Sequence, residues 1–547
     1  MNGTERTFDL AERYWDELLE LEPLLGTSTG DERFDDRLAD PSEAGRAASE
    51  TVHRAALADA AAIDRAGVDE NDRETLDVLE AIANRYLAGL EHRTDRLLVA
   101  NHLNGPGQLL GEIASMQQTD SPERLDRYEA RLRAIPAFLE ASAEVAREGI
   151  AAGVTSPRVV AERSVTQLER LLALGADGSP ALAPLGDDSA ARERIAAAVH
   201  DEVNPAYARY LEMLREYLPH ATETIGLRAI ADGEAMYEAE VLAWTSLPLD
   251  ADEVHALGVE RFDALLAERF EVAARMGYAS PTEAIAALRA DGADTPASPE
   301  AFLKVVEDQV ARGWEAAPGW FGRLPRANCE VRAVEAFREA DLPAAFYNPP
   351  TEDGSRPGVY YLNTYDLPSR EIHSIAGVTF HEANPGHHFQ VSLDQEAPDR
   401  SRLRRFGGIL AGSAFCEGWG LYSERLADEM GLYLDDGERL GMLENQLLRA
   451  GRLITDTGIH ALGWGRDAAV AKLEEGGAPH TEATIEVDRY IAMPAQALSY
   501  MVGMIRIQDA RAAAEAREGA DFSLRDFHDR LLALGTVPLP SLDRALS

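Results

Sequence analysis

His381, Glu382, His387 and His388 fall within eight residues of a chain that has only 13 histidines. Side chains of these types can hold a transition metal and move a proton. A zinc hydrolase needs two neutral imidazoles converging on one ion, and a carboxylate to take the proton of the attacking water. The common arrangement puts the two histidines four residues apart on one helix, with the glutamate directly after the first. Here the fourth position after His381 is Pro385. On an unbroken helix His387 would face about 120° away from His381, and His388 would sit roughly 10.5 Å along the axis. Asn384-Pro385-Gly386 is the interruption. Pro385 has no N–H to donate and crowds the turn before it, and the triplet is turn-forming. If Pro385 and Gly386 bulge outward as two extra residues, His387 takes the place of the second ligand, with His388 in reserve. The competing reading is an ordinary loop of surface histidines beside Pro-Gly.

A third ligand is sought downstream. Glu417 lies in the nearly apolar, small-residue stretch from Phe406 to Glu424, where a lone carboxylate is costly unless paired or metal-bound. Glu424, two turns on, shares its face and could orient a histidine. The alternative is a salt bridge from Glu417 to Arg402, Arg404 or Arg405. Further on, Arg452, Asp456 and His460 recur every four residues, and Gln496 and Tyr500 stand one turn apart. Tyrosine or histidine can steady an oxyanion, and arginine can hold a substrate carboxylate. A buried salt-bridge ladder between helices is the competing reading for Arg452 and Asp456.

These groups need a scaffold. The chain of 547 residues is long for one compact core, and its composition is that of a globular protein. We read a helical lobe over 1–300 and a metal-binding lobe over 301–547. Apolar residues recur at helical spacing over Phe8–Leu25, Glu74–Leu97, Ser121–Glu148, Ser189–Tyr217 and Asp252–Met276. Glu330–Phe337, Ala344–Tyr347 and Val359–Leu362 read as strands of one small antiparallel sheet. Helical periodicity resumes near Pro368 and runs to Leu534. The fold class expected is mainly α, with that sheet beside the active-site helix.

The net charge of −42 argues against nucleic acid and anionic membrane surfaces as partners. No window reaches the ~20 apolar residues of a membrane span. The opening residues lack a secretory pattern, and Cys329 and Cys416 make no disulfide framework, so a cytoplasmic location is expected. Lysine occurs only at Lys304 and Lys472. Acid-rich, lysine-poor composition suits a halophilic cytoplasm, where salt screens self-repulsion.

His-Glu-x-x-Pro-Gly-His-His from His381, Glu-Gly-Trp-x-Leu-Tyr-x-Glu from Glu417, Asp-x-Gly-Ile-His from Asp456 and Pro-x-Gln-Ala-x-x-Tyr from Pro494 occur in that order. Together they resemble the domain-of-unknown-function family number eight hundred and eighty-five, which is similar to the gluzincin metallopeptidases. The resemblance is strong from about Gly358 to Gly503. It implies a helical clamshell with a deep cleft and one zinc ion held by His381, His387 and Glu417, with Glu382 as general base. It further implies Tyr500 or His460, and less so Tyr490, as oxyanion stabilisers. The strand carrying Tyr360 would pair with substrate backbone. The last motif departs from the family, with Ala495 after the proline and Met501 after the tyrosine where Gly and Lys are expected. A substrate carboxylate then falls to Arg452 or Arg489.

The function expected is a zinc-dependent peptidase, a carboxypeptidase or oligopeptidase acting on short peptides. The alternatives are a zinc hydrolase of non-peptide amides or esters, and a non-catalytic helical binding protein with a degenerate site. A cysteine nucleophile is disfavoured, because Cys416 lies in an apolar helix. No Gly-x-Ser-x-Gly elbow and no phosphate-cradling loop follows a strand.

Overall fold

The computed structural model describes residues 3–546 other than 293, 335–338, 340–342, 353 and 355. The helices expected from periodicity appear at Gly3–Leu21, Glu70–His92, Pro122–Ala152 and Ala251–Arg275. Their starts follow from capping. Ser121 accepts from Arg124 N and Asp250 from the N–H groups of Asp252 and Glu253, satisfying donors the first turn leaves free. The helix expected over Ser189–Tyr217 comes in three pieces, with a π turn at Val199–Val203 between Ser189–Ala198 and Asn204–Tyr217. Pro205 follows that turn and cannot donate to it.

Two large apolar clusters hold the helices together. One includes Leu110, Tyr128, Tyr207 and Tyr217. The larger joins Trp15, Leu79 and Phe262 to Phe380, Trp419 and Leu453, so it draws on both sides of the lobe boundary expected at residue 300. Among the described residues no helix is long and apolar enough to cross a membrane.

The sheet consists of β1 (Cys329–Ala333), β2 (Ala345–Asn348) and β3 (Gly358–Leu362) in the order β1-β3-β2. It is mixed rather than antiparallel as expected, because β1 runs parallel to β3 and only β2 is antiparallel to it. Residues 335–337 of the first expected strand lie outside the described residues.

Six helices build the site and are labelled α1 (Ile372–Glu382), α2 (His387–Gln395), α3 (Ala414–Glu429), α4 (Asp436–His460), α5 (His480–Ala492) and α6 (Leu498–Glu518). They cross closely where side chains are absent. A Cβ on Gly418 of α3 would stand 2.5 Å from Gly503 Cα of α6, and one on Gly441 of α4 would stand 2.2 Å from the His373 carbonyl oxygen of α1. These approaches bring the polar faces of α1, α3 and α4 together.

Candidate metal centre

The helix through His381 stops at Glu382 and a new one starts at His387. The interruption is a full break between two helices, not a bulge within one. Pro385 cannot continue the ladder, and the Asn384–Pro385 peptide is cis. Gly386 is required, since a Cβ there would stand 1.9 Å from the His381 carbonyl oxygen. Helix α3 pins the connecting segment, with Trp419 Nε1 donating to Pro385 O at 2.9 Å and Ser423 Oγ at 3.3 Å.

The break turns His387 onto His381. Their ring centroids are 4.6 Å apart, edge to face. His381 Nε2 lies 3.5 Å and His387 Nε2 3.3 Å from the same atom, Glu417 Oε2. Two atoms each ~2.0–2.1 Å from one tetrahedral ion stand roughly 3.4 Å apart, so these separations suit a shared cation. Glu417 Oε2 is buried and makes no hydrogen bond. Arg402, Arg404 and Arg405 do not reach it. Arg402 pairs with Glu12 at 2.7 Å, Arg404 with Glu74 at 3.3 Å and Arg405 with Glu352 at 3.0 Å. Burial alone would push the Glu417 carboxyl up, but the two histidines hold it well below the usual range. Burial likewise acts against a charged His387, yet Cys416 and Glu417 raise its pKa well above the usual value. A dication would take the place of that proton. Glu382 stands beside them, since one ligand atom each from His381, Glu382 and His387 lie within 4.8 Å of one another. Burial pushes the Glu382 carboxyl up, countered by His387, His381 and Arg449.

Each imidazole has its other nitrogen occupied. His381 Nδ1 donates to Glu424 Oε1 at 2.9 Å, and Gln446 Nε2 donates to Glu424 Oε2 at 3.1 Å. His387 Nδ1 faces Cys416 Sγ at 3.4 Å. Gly420 leaves room for the His381 ring, because a Cβ there would stand 2.7 Å from Nε2. Gln446, and Cys416 as the partner of His387, escaped the sequence reading. Gln446 lies on the apolar α4 face of Met442, Ala450 and Leu453, where a buried amide needs a partner.

His388 does not face the centre. Its Nε2 donates to Ala327 O at 3.0 Å and its Nδ1 meets Tyr347 Oη at 3.0 Å. It is fully buried and pushed down to about 4 by burial, so it ties the sheet to α2. Tyr360 is also misplaced for substrate. Its strand β3 is paired on both sides and all five of its residues are buried, which leaves no edge for a peptide.

Tyr500 reaches the centre, with its ring centroid 6.1 Å from that of His381. His460 does not serve as an oxyanion donor. Its Nδ1 accepts from Leu227 N at 3.2 Å and its Nε2 donates to Tyr490 O at 3.0 Å. Asp456 touches neither histidine. It accepts from Tyr237 Oη at 2.6 Å and from Ala495 N at 3.1 Å, holding Ala495 at φ 64°, in the region that favours glycine. Tyr490 donates to Glu486 at 2.6 Å, so its hydroxyl proton is also committed. Arg452 donates to Glu486 at 2.8 Å, and Arg489 to Gln496 at 2.6 Å and Tyr500 Oη at 3.2 Å.

A second group of ligand-type residues surrounds His373. Nδ1 bonds Asp294 at 2.6 Å and Nε2 bonds Glu444 at 3.1 Å. Glu444 pairs with Arg269 and Glu371 with Arg289. Two guanidiniums already neutralise those carboxylates, so the group is an ion-pair network.

Fold and site together describe a mainly helical protein with a His/Glu centre suited to a metal. The chain belongs to the bacterial protein family of unknown function DUF885, whose profile matches residues 23–546. Among curated proteins none matches. A solved Colwellia psychrerythraea protein, provisionally described as a lipoprotein, superposes with a TM-score of 0.92 at 24% identity, covering 100% of this chain and 99% of its own. A Shewanella oneidensis protein of unknown function, described in the same way, gives 0.75 at 19% identity, with 98% of each chain covered. The fold is therefore shared with both.

Proposed function

We propose that the chain is a zinc-dependent hydrolase of short peptides, related in its site to the gluzincin metallopeptidases and built as a helical clamshell. The observation that carries this reading is the meeting of His381 Nε2 and His387 Nε2 at one unbonded oxygen of Glu417, with Glu382 alongside. His381, His387 and Glu417 would hold a single zinc ion. Zinc bound there supplies Lewis acidity, polarising a carbonyl and making water acidic near neutral pH. Glu382 takes the proton of the attacking water and delivers it to the leaving amine. Tyr500 donates its hydroxyl to the developing oxyanion, and Arg489 fixes that hydroxyl. Glu424 and Gln446 hold His381 in the tautomer that leaves Nε2 free.

Peptides suit the acidic surface better than nucleic acid or anionic membrane. The cytoplasmic location expected from the sequence competes with the description of both solved neighbours as lipoproteins, and cell fractionation distinguishes the two.

The test is turnover of tripeptides by the zinc-loaded protein and by Glu382→Gln. The reading predicts peptide cleavage that falls by about 10²–10⁴-fold in the variant while bound zinc is retained. Full activity of Glu382→Gln contradicts it. Cleavage of aryl amides or esters in place of peptides would move the substrate class and leave the centre intact.

A further inference from the structure

Two buried arginines beside the centre keep N–H groups that nothing in the protein satisfies. Arg452 is 4% exposed and Arg449 9% exposed. They lie three residues apart on α4, on one face, one turn beyond the Gln446 that holds Glu424. Arg452 gives its Nε and Nη2 to Glu486, but its Nη1 has no partner. Arg449 gives Nη1 to Asn445 O at 3.3 Å, and its Nε has none. Other arginines also leave Nε unpartnered, but among the described residues Arg452 alone leaves a buried Nη so, and with Arg449 one turn away it is poised for an anionic acceptor from outside the chain. Arg489 is not available in the same way, since its Nη2 is shared by Gln496 and Tyr500.

The position fits a particular anion. The Tyr500 ring contacts both the Arg452 guanidinium, whose Cζ is 4.4 Å from its centroid, and the ligand His381 at 6.1 Å. One aromatic ring thus touches both the arginine and a ligand of the centre. Arg449 stands one turn of α4 from Gln446, whose Nε2 donates to the Glu424 that holds the ligand His381. In a peptide the carbonyl of the last bond and the terminal carboxylate are separated by a single residue, ~3.8 Å of backbone. An internal peptide segment brings no charge to that position.

We propose that Arg449 and Arg452 anchor the free α-carboxylate of a peptide's last residue, so that the enzyme is a carboxypeptidase. This rests on the hydrolase reading above. In each turnover the water oxygen bonds to the last peptide carbonyl carbon, the C–N bond breaks, and the water proton leaves on the released amino group. Arg449 and Arg452 select which bond lies over the centre.

The test separates binding from chemistry. Calorimetry on full-length, zinc-loaded Glu382→Gln compares trialanine, trialanine amide and a tripeptide amide ending in an aspartyl residue. The expected result is that trialanine binds at least about tenfold tighter than either amide. Adding Arg449→Gln should shrink that difference to less than about threefold, and Arg449→Lys should keep part of it, with circular dichroism confirming the fold of each variant. Equal binding of trialanine and its amide overturns the anchor. So does equally tight binding of the aspartyl amide, which would assign the arginines to a side-chain carboxylate. Wild-type cleavage of trialanine amide as fast as trialanine overturns the anchor while the hydrolase reading stands. Carboxylate-selective binding without any turnover overturns the hydrolase reading and the carboxypeptidase with it.

Discussion

Glu424 accepts the Nδ1–H of His381 at 2.9 Å from a fully buried position on α3. That bond fixes the imidazole with Nε2 turned to Glu417, two turns from Glu424 on the same face of α3. Glu424→Gln keeps the size of the side chain but lets the ring turn. Zinc affinity should fall by about 10–100-fold, measured by competition with a chelating dye, with little change in secondary structure. Unchanged affinity would show that Glu424 does not orient the ligand.

The two neighbouring histidines should separate cleanly. His387→Ala removes a nitrogen from the centre and should abolish stoichiometric zinc binding while the fold persists. His388→Ala strips partners from Tyr347 and Ala327 O and should cost about 1–3 kcal/mol of stability while zinc still binds. Denaturant melts with metal analysis check both. The opposite pattern would exchange their roles.

Much of this centre was legible in the chain, for a physical reason. Glu417 and Glu424 lie two turns apart, so one helix presents both to a neighbour, and a carboxylate in an apolar stretch demands a partner. The choice between His387 and His388 rested on what Pro385 does to a helix, and the break falls where proline forces it. The misplaced residues depend on distant partners. His460 is occupied by Leu227 N, and Asp456 by Tyr237, neither of which is near in sequence. The parallel pairing of β1 with β3 buries Tyr360 in the middle of the sheet, and strand order is not written in the alternation of a single strand.

The His373 network makes stability depend on pH. Burial alone would lower its pKa, but the bonds to Asp294 and Glu444 raise it from 6.5 to about 10. A folded value above the unfolded one gives a contribution fully present below pH 6.5 and lost as pH rises through about 10. The melting temperature of the wild type should therefore exceed that of His373→Gln by a margin that narrows between those limits. A margin constant with pH would mean that His373 is not charged in the folded state.

The net charge of −42 predicts a salt requirement. Raising KCl from about 0.1 M to about 1 M shortens the screening length from ~10 to ~3 Å and should raise the melting temperature. A temperature that is flat or falls with salt would remove the halophilic reading.

The central claim is that His381, His387 and Glu417 close on one cation. The most direct measurement is the zinc content of the purified protein after equilibration with zinc and gel filtration, for the wild type and for Glu417→Gln. The account predicts about one equivalent per chain in the wild type and a steep loss in the variant. Less than about a tenth of an equivalent in the wild type, or the same content in both proteins, would contradict it.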